Sequence, residues 1–168
     1  MNRLQRILAN LFRAWWLADE QFPDSVFDTI GARIGELEAQ HHGDVVFAVE
    51  ARLALKVVAQ GLTAQQRAEE VFAGLEVWNT ADNAGVLIYV LLAERAIEIV
   101  ADRGIARQVP QSRWDDICAD SAAAFSRGEF ESGAFAAIEA ASMLLREFMP
   151  ILSGQARSNE LVDRPVLL

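Results

Sequence analysis

The chain has 168 residues, 52% of them hydrophobic and 23% charged, and 24 acids against 15 bases give it a net charge of −9. That is enough apolar material for one buried core and too much for a disordered or fibrous chain. A negative body repels phosphate backbones, which argues against nonspecific nucleic-acid binding. A lone cysteine, Cys118, excludes an internal disulfide framework and a cysteine-rich zinc site.

No run of eighteen apolar residues occurs, and Arg13 interrupts the longest apolar stretch near the N-terminus. Neither a membrane-spanning helix nor a signal peptide is therefore expected, and the expected compartment is the cytoplasm. Leu4, Ile7, Leu8, Leu11, Phe12 and Trp15 recur at helical spacing, with Arg3, Arg6, Asn10 and Arg13 on much of the other side. Residues 1–22 thus read as an amphipathic helix. Residues 1–18 carry three arginines and no acid on an otherwise acidic chain. Such helices usually cover their own core. The second expectation is peripheral contact with the inner membrane surface or with an unknown protein partner through residues 1–18, because arginines beside Trp15 and Trp16 suit anionic headgroups.

Pro23 closes that segment, and Asp24 or Ser25 can cap a helix running to about Gln40, with Phe27, Ile30, Ile34 and Leu37 inward. Gly43 ends it. Val45 to Val49 is a β-branched apolar run, the pattern of a strand buried on both faces. Thr63 and Gln66 form an expected capping box for a helix to about Glu76. Gly85 to Leu92 is apolar without alternation, a second central strand, and Ala96 to Ala101 follows as the partner of a hairpin after a break at residues 93–95. Pro110 and Ser112 open a helix with Trp114, Ile117, Cys118, Ser121 and Phe125 on one face, stopped by Gly128, and a last helix spans about Glu131 to Phe148. The segment after Pro150 lacks periodicity and reads as a flexible tail. The order predicts an α/β fold of residues 23–150, a small mixed sheet with helices on both faces, flanked by residues 1–22 and 151–168.

A helix between the first two strands favours a parallel, right-handed crossover, so both strands start at one end of the sheet, where the third strand, returning antiparallel, must finish. With a turn near Glu94, Asp102 falls opposite Gly85. One rim then gathers His41, His42, Asp44, Asn79, Thr80, Asp82, Asn83, Asp102 and Arg103. Loop carboxylates and amide oxygens are the donors a hard cation needs: calcium takes six to eight oxygens in irregular geometry, while magnesium keeps more water. The same rim suits metal-assisted phosphate chemistry, with Arg103 against phosphoryl oxygens and Asp82 and Asp102 as candidate catalytic groups. The plain alternative has Asp82 and Asn83 shaping a turn and Asp102 capping the loop after its strand.

His41 and His42, adjacent at a helix end, point different ways, and an interaction with the last carbonyls is the better expectation. Cys118 reads as a small core residue. Lys56, the only lysine, has no phosphate loop around it, and the sequence contains no G-x-G-x-x-G, Walker-type, H-E-x-x-H, G-x-S-x-G or paired C-x-x-C pattern.

Trp78-Asn-Thr-Ala-Asp-Asn-Ala-Gly-Val-Leu-Ile-Tyr89, Ile99-Val-Ala-Asp-Arg-Gly-Ile105, Trp114 and Phe125-Ser-Arg-Gly-Glu-Phe-Glu-Ser-Gly133 together resemble the TPM domain family over about residues 25–150. The resemblance implies a Rossmann-like α/β/α sandwich in bacterial or chloroplast proteins, often tethered to a membrane, with acid-phosphatase activity in some members and calcium at the acidic rim in others. Carried over by motif, the family positions are Trp78, Thr80, Asp82, Asn83 and Gly85 in the first loop and Asp102, Arg103 and Gly104 in the second, and Asp44 adds a carboxylate on the same rim. Asn79 and Ala81 stand where relatives commonly carry acids, which implies weaker metal binding here. The expectation is a TPM-like module that binds calcium, or less readily magnesium, at this rim and acts in interaction or assembly, with a metal-dependent acid phosphatase as the alternative.

Overall fold

A computed structural model of the chain describes residues 1–12, 20–151, 161 and 163–168. Arg13, Trp15 and Trp16, and most of the expected tail, lie outside the described residues. Four strands form one mixed sheet in the order β3-β2-β1-β4. β1 (Asp44–Glu50) and β2 (Gly85–Leu91) are parallel, with Asp44 beside Gly85 and Glu50 beside Leu91. β3 (Ala96–Ala101) returns antiparallel to β2, pairing Val86 with Ala101. The short β4 (Val166–Leu167) lies parallel to β1.

Both central strands are buried along their whole length, and alternation divides their side chains between two cores. Val45, Phe47, Val49, Val86, Ile88 and Val90 pack on one face against α2 (Asp24–Glu38), α6 (Gln111–Ser126) and α7 (Phe130–Phe148), which contribute Ile30, Ile34, Trp114, Phe125, Ile138 and Leu145. Val46, Ala48, Leu87, Tyr89 and Leu91 pack on the other against Leu53, Val58, Ala68 and Val71, the last three from α3 (Leu55–Gln60) and α4 (Ala64–Gly74). Each large side chain fully buried in these layers is worth about 1.5–3 kcal/mol, which explains why an apolar run without alternation had to be a strand covered twice.

The expected capping box is present: Thr63 Oγ1 accepts from the Gln66 N–H and the Gln66 side chain accepts from the Thr63 N–H. At α2 the expectation fails, since Pro23 occupies the cap position and no side chain caps the helix. The sequence pattern also passes over α3 and the single turn α5 (Arg103–Ala106), both too short to show a helical period. Val166 and Leu167 correct the reading of everything after Pro150 as a loose tail, because they complete the sheet edge and the Leu168 N–H donates to Val49 O at 2.9 Å. Two residues carry no alternation to read.

The N-terminal helix α1 (Arg3–Phe12) is seated on α3 and on the 3₁₀ turn Leu92–Glu94. Its seating inverts the expected one. Arg6 Nε donates to Glu94 Oε2 at 2.7 Å and its Nη2 to Leu62 O at 2.6 Å. Asn10, fully buried, donates to Glu94 Oε1 and accepts from the Leu53 N–H. Arg6 and Asn10 face the domain together with Ile7 and Ala9, while Leu4, Leu8, Leu11 and Phe12 are exposed.

Candidate functional site

The polar rim forms at the N-terminal ends of β1 and β2, where the sequence placed it. Asp44 opens β1 beside Gly85, and the Asp102 N–H, immediately after β3, donates to Gly85 O at 2.8 Å. Asp44 and Asp102 therefore flank the first residue of β2. Between them lies the loop 76–84. Its turn is closed by Asn83 N–H to Thr80 O and by Ala84 N–H to Thr80 Oγ1, with Asn83 in the left-handed region at φ 51°. Thr80 and Asn83 thus shape the loop, as asparagine and threonine commonly do.

Two glycines let this loop lie across the strand ends. A Cβ on Gly85 would run into the Val77 carbonyl, and one on Gly104 would run into the backbone carbonyls of Asp82 and Asn83. The Gly104 N–H donates to Asn83 O at 2.9 Å. Glycine is thus required at both positions for close backbone approach. This contact brings the Asp82 segment to the Asp102 segment, so the two halves of the rim share one mouth.

Within the mouth, Asp102 caps α5: its Oδ1 accepts from the Arg103 N–H at 2.6 Å. Its Oδ2 is buried and has no hydrogen-bond partner. A buried carboxylate oxygen left unpaired is costly and rare, and such an atom asks for a proton donor or a cation. Asp44 is also buried, whereas Asp82 is exposed. Arg103, exposed, donates from Nε to Asn83 Oδ1 at 2.8 Å, tying the second half of the rim to the first. That bond occupies the side-chain oxygen Asn83 was expected to offer a metal. Trp78 is half exposed on the same loop, beside the buried Val77.

Among the described residues, no three His, Cys, Asp or Glu side chains converge as a metal cluster. A divalent cation at this mouth would rest on Asp102, with Asp44 and Asp82 from the neighbouring segments and with loop carbonyls and water completing its oxygen shell. Calcium accepts that mixture of donors. His41 does not belong to this set: its Nδ1 lies 3.0 Å from Gly43 O, and because a carbonyl only accepts, that nitrogen carries the proton. His41 also bridges to Pro150, and the His42 N–H donates to Met149 O, so both histidines fasten the end of α2 to the end of α7. Burial pushes the Cys118 thiol up to about 12, the behaviour of an inert core thiol.

The opposite end of the sheet holds a polar group that the sequence reading missed. Glu50 ends β1, and its Oε2 accepts from Tyr89 Oη at 2.7 Å and from Arg67 Nε at 2.8 Å; Arg67 Nη1 reaches Glu70 at 3.0 Å. Glu50, Arg67 and Glu70 border a cavity of about 520 Å³ with Leu53, Val57 and Leu62. Burial, and then the Glu50 bond, raise the Tyr89 hydroxyl far above the usual phenol value, so it stays protonated and donating. A hydroxyl in a strand covered on both faces must find a partner, and Tyr89 was the signal for one.

The family model of the TPM domain matches residues 19–144. The chain belongs to the TPM domain family. The mouth lies within the matched span of this TPM domain. The fold is similar to the NMR structure of the BA42 protein from the psychrophilic bacterium Bizionia argentinensis, with a TM-score of 0.72 and 26% identity over 85% of this chain and 92% of that one. Among curated proteins, none matches the chain.

Proposed function

We propose that this TPM domain binds a divalent cation, calcium before magnesium, at the mouth formed by Asp44, Asp82 and Asp102, and serves as an interaction module whose rim responds to the ion. The observation that carries this reading is the buried Asp102 Oδ2 without a hydrogen-bond partner, at the point where three chain segments meet. A bound cation would neutralise the carboxylates and draw the Asp82 loop onto the end of β3. The few carboxylates available imply weak affinity, about 10⁻⁴ to 10⁻³ M, because affinity in such sites follows ligand charge and number. Calcium titration of the full chain, followed by amide NMR, should shift Asp82, Asn83 and Asp102 together. Unmoved signals at millimolar calcium would defeat the reading.

Arg103 supports a second reading, a metal-dependent acid phosphatase on the same rim. Its exposed guanidinium is held beside Asp102 by the Asn83 bond, a suitable place to hold phosphoryl oxygens. There the bound ion would supply an activated water, and Asp102 would hold the ion. Hydrolysis of p-nitrophenyl phosphate should then require added cation and fall at least about a hundredfold in Asp102→Asn. Parental rates in that variant would remove the phosphatase reading.

A further inference from the structure

Among the described residues, the seating of α1 leaves an apolar stripe largely uncovered. Met1, Leu4, Leu8, Leu11 and Phe12 are 44–66% exposed. Leu4, Leu8 and Leu11 recur every three or four residues and Phe12 follows them, so they share one side of the helix, with Met1 just before it. This side cannot simply turn inward. Arg6 and Asn10 are fastened to Glu94, Leu62 and Leu53 from the other side, and Asn10 is fully buried. Rotating the helix would strand those buried polar groups without partners. Polar docking thus fixes an apolar side outward.

The occupant of that side follows from charge and area. α1 carries no acidic residue; Arg6 is spent on Glu94, and the exposed Arg3 at the first position of the helix is the cation left to solvent on α1. A second copy of the chain would need about 800 Å² from each partner for a stable interface, more than five partly exposed side chains on three helical turns provide. A lipid surface needs no matching shape and takes up such a helix lying flat, apolar side down, with cations at headgroup level. We propose that α1 is an interfacial helix that rests this domain on an anionic lipid surface through Met1, Leu4, Leu8, Leu11 and Phe12, with Arg3 among the headgroups. No helix among the described residues is long and apolar enough to cross a membrane; α1 itself, ten residues long, would lie flat on the surface. α1 sits beyond the C-terminal ends of β1 and β2, which places the Asp44–Asp102 mouth a strand length away, about 20 Å, on the side turned from the lipid.

The test is flotation of the full chain with phosphatidylglycerol vesicles and with phosphatidylcholine vesicles. Truncation of the helix would also remove Arg6 and Asn10 from the domain, so exposed positions are changed instead. The parent chain should float with phosphatidylglycerol, less with phosphatidylcholine, and be released by salt. Leu8→Glu with Leu11→Glu should lower the bound fraction about tenfold or more, and Arg3→Glu about fivefold. Thermal unfolding of both variants should match the parent, because these side chains are exposed. Absence of flotation by the parent, flotation unchanged by the double substitution, or a dimer seen by sedimentation that the double substitution dissolves would each overturn the proposal.

Discussion

The two ends of the sheet treat buried carboxylates in opposite ways. At the C-terminal end of β1, Glu50 is paired through both oxygens, with Tyr89 and Arg67 on Oε2 and a longer Arg67 bond on Oε1. At the N-terminal end of β2, Asp102 shares one oxygen with its own helix cap and leaves the other buried and unpaired. A paired acid holds a fold together. An unpaired one marks a place where the fold has kept an unsatisfied valence, and such places are where ligands gain binding energy.

That contrast can be broken most decisively at Glu50. Glu50→Ala strands the buried Tyr89 hydroxyl and the part-exposed Arg67, and should cost about 3 kcal/mol, read as a lowered denaturant midpoint with calcium response intact. Gly104→Ala, which forces a Cβ into the Asp82 and Asn83 carbonyls, should cost about 2 kcal/mol and also weaken any calcium response, since it separates the two halves of the mouth. Asp102→Asn should do the reverse of Glu50→Ala, leaving stability within about 1 kcal/mol of the parent while erasing the calcium-dependent shifts. A large loss of stability there would mean that Asp102 is structural after all.

Glu98 on β3 gives the smallest effect and a useful intermediate case. It is half-buried, and burial first, then the charge of Asp115, raise its carboxyl above the usual range. A carboxyl raised on folding binds more protons in the folded state, so its stabilising contribution is full below the ordinary glutamate range and is lost as pH rises through the raised value. Glu98→Gln should flatten that slope in thermal unfolding followed across acidic pH. An unchanged slope would place the titration elsewhere.

Much of this molecule can be read before any coordinates exist, because long-range consequences of short patterns dominate it. Seven buried residues in a row at Gly85–Leu91 admit few readings, and once the hairpin turn is placed, the register that sets Asp102 against Gly85 follows. The meeting of the two loop segments follows from the same register. What sequence could not reveal was pairing between side chains far apart in the chain. The apolar stripe of α1 suggested docking by that stripe, yet Asn10 and Arg6 find Glu94, more than eighty residues on, and that choice reverses the helix. Asn83 was expected to serve a metal, and only the position of Arg103 shows its oxygen already engaged. Neither outcome leaves a periodic trace.

The C-terminal strand has a consequence for how this chain meets others of its kind. Val166 and Leu167 occupy the flank of β1 at Ala48 and Val49, and without them that stretch of β1 would become a lateral boundary of the sheet, its amides and carbonyls open to any extended segment. Proteolytic trimming of these last few residues would therefore convert a shielded border into an adhesive one, and the first symptom would be association in the test tube rather than unfolding.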